Sequence, residues 1–288
     1  MRYLPIAAFV GLSLLWGSEW MLTASLPAQP RLRALAFQYA IGACLLLPWA
    51  IRRRFWRRSV RSLAHVVIAG IGILCVPQIL IFLGNERLPP LVPLVALAIV
   101  PVVLAVSGRL AITPAVCGLA GVLFLEDQSI GISVSQSPWL LLPFAAACVL
   151  AWALVTAEKR MHAMSIAESL FGQCVASALL LLIASHLLEH ESVPWSATAV
   201  TGLVVDAALT TVCGYLLFYW LLGKFGAGPV STLQWTQPFV AAAESAILMA
   251  IRPGWALLTG AILIAIAIVW VFSNRDDAGG VLFEITRS

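Results

Sequence analysis

Apolar residues run along this chain in long stretches broken by short polar gaps, and the stretches are of roughly 17 to 27 residues, the length a helix needs to cross a bilayer core. Read with a window of about 19 residues, the pattern predicts ten spans, at 5–25, 32–51, 63–83, 88–106, 109–125, 138–157, 165–188, 196–222, 229–250 and 254–272. Only Ser107, Gly108 and Arg109 separate the fourth from the fifth, and Pro89, Pro90, Pro93, Pro101 and Pro114 interrupt both. A nine-span alternative therefore fuses these two into one bent helix. All spans are expected to be helical, because lipid leaves no other partner for backbone N–H and C=O groups.

Composition agrees with this reading. The 288 residues are 61% hydrophobic and 10% charged, with a mean hydropathy of +0.99. A soluble domain carries about a quarter charged residues. Lys and Arg set orientation by their retention on the cytoplasmic face. With the N-terminus inside and ten spans, 13 of the 17 fall inside, anchored by the RRRFWRRSVR loop, against Arg31, Arg33, Arg87 and Arg252 outside. The expected protein is thus multi-pass in a cell membrane, inner or plasma, with both termini cytoplasmic. The net charge of +4 then reports topology and lipid headgroup contact rather than nucleic acid. Six cysteines fall in six different spans without CxxC spacing, and the four histidines lack ligand spacing, so neither a metal nor another cofactor is expected. The first span keeps a polar Glu19 and is longer than the apolar core of a signal peptide.

The prolines point to duplication. Setting Pro101 on Pro238, an offset of 137, aligns the ends of two spans, and Trp16 against Trp152 gives an independent offset of 136. The predicted organisation is a first five-helix repeat at 1–137, a second at 138–272 and a cytoplasmic tail at 273–288. Because five is odd, the second copy enters the membrane inverted, an arrangement of transporters whose substrate site lies at mid-membrane between the halves. Pro101 and Pro238 mark the helices expected to bend.

Several spans carry groups that lipid does not tolerate. In LQWTQPFVAAAESAILM, Ser231 just before it and then Gln234, Gln237, Ala241 and Glu244 recur at helical spacing on one face. A carboxylate at mid-bilayer costs roughly 2.5–3.5 kcal/mol on insertion scales, so Glu244 should face protein or water. Glu19 shares a face with Trp16, and Asp206 with Thr210 and Cys213. No basic residue is expected at their depth, so either water reaches these three acids or they hold a proton. Glu19, Asp206 and Glu244 are accordingly the candidates for proton coupling. Gln78, Gln234 and Gln237, with the deeper tryptophans Trp16, Trp152 and Trp235, are the candidates for substrate binding, an aromatic wall beside amides and a carboxylate suiting an amphipathic metabolite with an amine. The bland alternatives stay open: amides bonding across a helix interface, worth about 0.6 kcal/mol on average, and tryptophans that merely pack.

The LLWGSEW of the first span, the pair of spans ending in GKFGAGPVSTLQWTQPFVAAAESAIL, and the glycine-bearing LLTGAILIAIAIVWVF that follows resemble the EamA-like branch of the drug/metabolite transporter superfamily. The resemblance covers most of the chain, more clearly its second half. It implies a ten-helix carrier, often an exporter of amino acids or other small metabolites, driven by proton or substrate gradients. The chain departs from the family where members carry a Gly-Glu pair: AIRPG stands at Ala250–Gly254 and SGR at Ser107–Arg109.

The expectation is therefore an all-α integral membrane protein and a secondary exporter of small metabolites, with membrane lipid and a small-molecule substrate as partners. A monomer and a homodimer are both compatible with its small-residue pairs. Nothing in the sequence supports ATP hydrolysis, since it contains no GxxxxGK[ST] loop. An intramembrane enzyme acting on lipid-linked substrates would need nucleophile, base and phosphate-binding groups at one depth, and a scaffold without cargo would need uniformly apolar helix interfaces. Both remain as alternatives.

Overall fold

The computed structural model describes residues 4–25, 30–88, 91–125, 134–160, 164–190, 195–248 and 254–273. The tail 274–288 lies outside them, as do Arg2, Arg252, Arg275 and Arg287 of the charge count. The described residues are helical nearly throughout and contain no strand. In chain order the helices are α1 (Leu4–Ser25), α2 (Arg31–Arg52), α3 (Val60–Asn85), α4 (Leu91–Leu97), α5 (Val100–Val106), α6 (Ile112–Leu125), α7 (Leu141–Arg160), α8 (Ile166–Leu188), α9 (Ala197–Phe225), α10 (Ala227–Ser231), α11 (Leu233–Leu248) and α12 (Trp255–Ser273).

Six segments are each long and apolar enough to cross a membrane: α2, α3, Ser135–Lys159, α8, α9 and α12. Leu4–Glu19, Val95–Val106 and Ile112–Leu125 are apolar but shorter. The span expected at 88–106 is split into α4 and α5, with Pro101 in the first turn of α5, where its missing N–H costs nothing. The span expected at 229–250 is also split, at Thr232 between α10 and α11. Pro238 lies inside α11, six residues past that interruption, and the helix continues through it.

Local chemistry sets the other boundaries. Ser165 and Glu168 form a reciprocal capping box at the start of α8. The N-terminus of α2 follows Pro30 and has no cap of its own, and Glu189 at the end of α8 supplies one, accepting from the Leu32 and Arg33 N–H groups at 2.7 and 3.0 Å. Gly226, at φ 79°, ends α9 and turns directly into α10.

Long helices α3 and α9 each contain a π-helical stretch, Ile71–Cys75 in α3 and Ala207–Gly214 in α9. Such wider turns offset the backbone bonding ladder and recur at functional sites. The most extensive helix contacts are α2 along α8 and α6 along α12. In the second pair Gly121 and Gly260 meet reciprocally: a Cβ built on either would lie 2.9 and 2.7 Å from the other's carbonyl oxygen. Across the middle, α1 packs on α11, while α7 packs on α3, α4 and α5. One apolar core runs through α1, α2, α3, α7, α8 and α9, and a second joins α5, α6, α11 and α12 around Trp235. Many large apolar side chains point outward, among them Leu14, Leu179, Ile183, Ile262 and Val269, as lipid-facing positions require.

Candidate functional site

A cavity of about 100 Å³ lies inside the bundle between α1, α2, α3, α7, α9 and α11. Its polar lining is Glu19 from α1, Gln38 and Tyr39 from α2, Gln78 from α3, Thr210, Thr211 and Tyr215 from α9, and Gln234 and Gln237 from α11. Trp16 and Phe218 form an aromatic wall, with ring centroids 5.2 Å apart, and Tyr215 lies 5.1 Å from Trp16. The lining thus holds one carboxylate, four amides and several hydroxyls, and neither Lys nor Arg.

Two features of the backbone position these groups. The π-helical stretch of α9 brings Thr210 and Thr211 together, and Gln38 Nε2 donates to both hydroxyls, at 3.0 and 3.1 Å. Thr210 Oγ1 in turn donates to Asp206 Oδ1 at 2.7 Å, and the Trp16 indole N–H reaches the Thr210 carbonyl at 3.3 Å. A connected network from α1, α2 and α9 therefore stands at one edge of the cavity. The second feature is the LLWGSEW segment of α1, where each residue of the WGS triplet has its own task. Trp16 binds Thr210, Gly17 lets Val240 of α11 approach to a distance no side chain would allow, and Ser18 donates to Glu244 of α11. Glu19, next in line, faces the cavity.

The residues singled out from the sequence are distributed as follows. Trp16, Glu19, Gln78, Gln234 and Gln237 surround the cavity. Asp206 is buried behind it through Thr210, and Glu244 lies in the α1–α11 contact bonded to Ser18. Trp235 is fully buried in the second core, its ring against Gly118 and its indole N–H on the Ala98 carbonyl at 3.0 Å. Trp152 is 54% exposed on the outside of α7 and does not line the cavity. One expectation is corrected. Arg31 interacts electrostatically with Glu19, so a basic residue does stand near that acid. The reason is reach: Arg31 is the first residue of α2, and a long arginine stem carries its charge well away from its backbone.

Sequence reasoning missed Gln38, Tyr39, Thr211, Tyr215 and Phe218. Gln38 was accessible by the rule that found the other amides, a polar side chain in mid-span. The hydroxyl-bearing residues and Phe218 gave no such signal.

A second cavity, of about 160 Å³, opens between α3, α7, α8 and α9 nearer the arginine-rich loop. It lies end to end with the first. Helices α3, α7 and α9 contribute to both, through Ala69 and Ile73, Ala157 and Leu154, and Tyr219 and Tyr215. Three or four residues of helix, about 5 to 6 Å, separate the members of each pair. Tyr219 donates to Gln173 in the partition, and the Tyr39 and Tyr215 hydroxyls approach each other beside it.

A family model describing EamA-like transporters matches residues 137–273. The match falls on the second half of the chain. The resemblance read from the sequence, to that branch of the drug/metabolite transporter superfamily, is thereby shown. That match and the several long apolar helices support a multi-pass membrane protein, and the members of that family are transporters of small molecules. Its fold recurs among solved structures, where 23 chains match. One, described only as a crystal structure of a protein, is 21% identical and superposes with a TM-score of 0.77 over 91% of this chain and 95% of its own. No curated protein matches the sequence.

Proposed function

We propose that this protein is a secondary carrier that exports small metabolites, such as amino acids or other amphipathic compounds, by alternating access around the central cavity. The observation that carries the reading is the cavity itself. A pocket with four glutamines, a carboxylate and an aromatic wall, enclosed by helices with apolar outer faces, has no structural use in a bundle that could pack dry. Glu19 is the group we assign to cargo amine binding and to proton exchange, with Trp16, Gln78, Gln234 and Gln237 shaping the pocket. Asp206 acts behind them through Thr210, and Glu244 through Ser18.

The carrier works as two inverted five-helix repeats, residues 1–137 and 138–272, ten spans in all, with both termini cytoplasmic in a cell membrane. Paired features support this. The π-helical stretches of α3 and α9 begin at Ile71 and Ala207, 136 residues apart, the spacing that also relates Trp16 to Trp152. The broken pair α4–α5 answers α10–α11, and α7 on α4 and α5 answers α1 on α11. The pairs α2–α8 and α6–α12 each join a helix to its own counterpart. Rocking of one half on the other would open the cavity to each side in turn.

The test is flux. Purified protein in proteoliposomes is screened for efflux of labelled amino acids, nucleosides and cationic drugs, and Glu19→Gln is compared with the parent on the cargo found. Reduced flux in a variant that folds and inserts normally is expected. Parent-level flux in Glu19→Gln would remove the role given to that carboxylate.

A further inference from the structure

We infer that the second cavity, beside the arginine-rich loop, is a docking site for the anionic group of the cargo, a carboxylate or phosphate bound before the solute reaches the central cavity. This rests on the carrier reading and adds a substrate class to it: solutes bearing an acid group on an apolar body, zwitterionic amino acids among them.

The linings of the two cavities differ in their charged residues, although Arg31 stands near Glu19. The central one presents Glu19 and no Lys or Arg, whereas the second presents Arg61 and His65 and no carboxylate. Arg61, Ser62 and His65 occupy successive turns of α3 and face Ser169 and Gln173 of α8 and Tyr219 of α9 across the opening. Arg61 and His65 have no hydrogen-bond or ion-pair partner among the described residues, whereas the neighbouring Arg58 is held by Glu168 at 2.9 Å. The acid of this region is thus already engaged, and Arg61, exposed at the cavity mouth, has donors free for a solute.

At the floor of the cavity, Gln173 is 3% exposed. One end of its carboxamide bonds Tyr219, and the other has no partner among the described residues. The amide nitrogen is open to the cavity, where it can donate to a solute's oxygen. The remaining walls, Val66, Ala69, Met164 and Ile166, are apolar. A guanidinium fork matches two carboxylate or phosphate oxygens at once, an imidazole offers at least one further N–H donor, and the apolar wall accommodates the body of an amphipathic solute.

Labelling tests the assignment. Ser169→Cys is reacted with a water-soluble thiol reagent in nanodiscs of phosphatidylcholine, with the parent labelled in parallel to account for its six cysteines. L-phenylalanine and 3-phenylpropionate, which carry the carboxylate, should slow labelling, and phenethylamine, which lacks it, should not. Arg61→Gln should raise the half-protecting concentration by about tenfold, the loss of one charge-assisted bond, and Arg61→Lys should recover part of it. Equal protection by phenethylamine, no protection by either acid, or protection unchanged in Arg61→Gln would overturn the assignment. So would occlusion by phosphatidylglycerol nanodiscs without added solute, which would make the occupant a lipid headgroup. Cargo efflux is measured on the same protein, so the two readings fail separately. Protection without flux of any cargo would leave the site and remove the carrier, and flux without protection would do the reverse.

Discussion

Replacing Gly17 with alanine tests whether the α1–α11 contact sets the geometry of the cavity. A Cβ at position 17 would lie 2.3 Å from Val240 Cβ and 2.5 Å from its Cγ1. Ordinary carbon–carbon contacts are about 3.5–4.0 Å, so the helices must part by about 1 Å. Val240 cannot turn aside, since the closest atom is its Cβ, whose position no rotamer changes. Overpacking of this kind costs about 1–3 kcal/mol, against which alanine gains about 0.5–1 kcal/mol over glycine within a helix, leaving a net destabilisation of up to about 2.5 kcal/mol. The displacement falls where it matters. Trp16 and Glu19 flank Gly17 on α1, and Gln234 and Gln237 lie on α11 within two turns of Val240. Gly17→Ala is therefore expected to lower the unfolding temperature in detergent and to reduce cargo flux in proteoliposomes, even though no lining side chain is altered. Val240→Gly in the same chain removes the clashing atoms and should restore flux, with the two substitutions coupling favourably in a double-mutant cycle. A Gly17→Ala protein with parent stability and parent flux, or strictly additive effects of the pair, would refute the reasoning.

Two further outcomes follow from placements in the fold. Glu189→Ala should destabilise the protein by about 1–2 kcal/mol in thermal unfolding, because it strips both acceptor oxygens from the uncapped N-terminus of α2. Flux assays should separate two tryptophans that the repeat alignment equates: Trp152→Leu, on the outer surface of α7, should leave transport unchanged, and Trp16→Leu, which loses the wall of the cavity and the bond to the Thr210 carbonyl, should impair it.

The helical class, and the carboxylate and three of the four amides of the central cavity, were legible for one physical reason: lipid excludes polar groups so strongly that each one inside an apolar run must be accounted for. That rule found Glu19, Gln78, Gln234 and Gln237, and applied evenly it would have found Gln38. It did not discriminate among tryptophans. In a helix whose every face is apolar, periodicity does not tell the inward face from the lipid face, so Trp152 and Trp16 looked equivalent. Trp235 lies on α11 between Gln234 and Gln237, but it points a different way, into a slot that Gly118 opens on α6. Nothing at position 235 announces a glycine more than a hundred residues away.

What sequence pattern cannot supply is the winding of α3 and α9. A wider π turn shifts the faces of the helix beyond it, so the ordinary helical period used to group Asp206 with Thr210 ceases to hold further along. In α9 that shift sets Thr210 and Thr211 side by side beneath Gln38 and turns Tyr215 and Phe218 to the cavity, while Tyr219 reaches the other one. The same helix thereby furnishes the polar edge of the central cavity, its aromatic wall and the partition from the second cavity. Rewinding this stretch would move all three together.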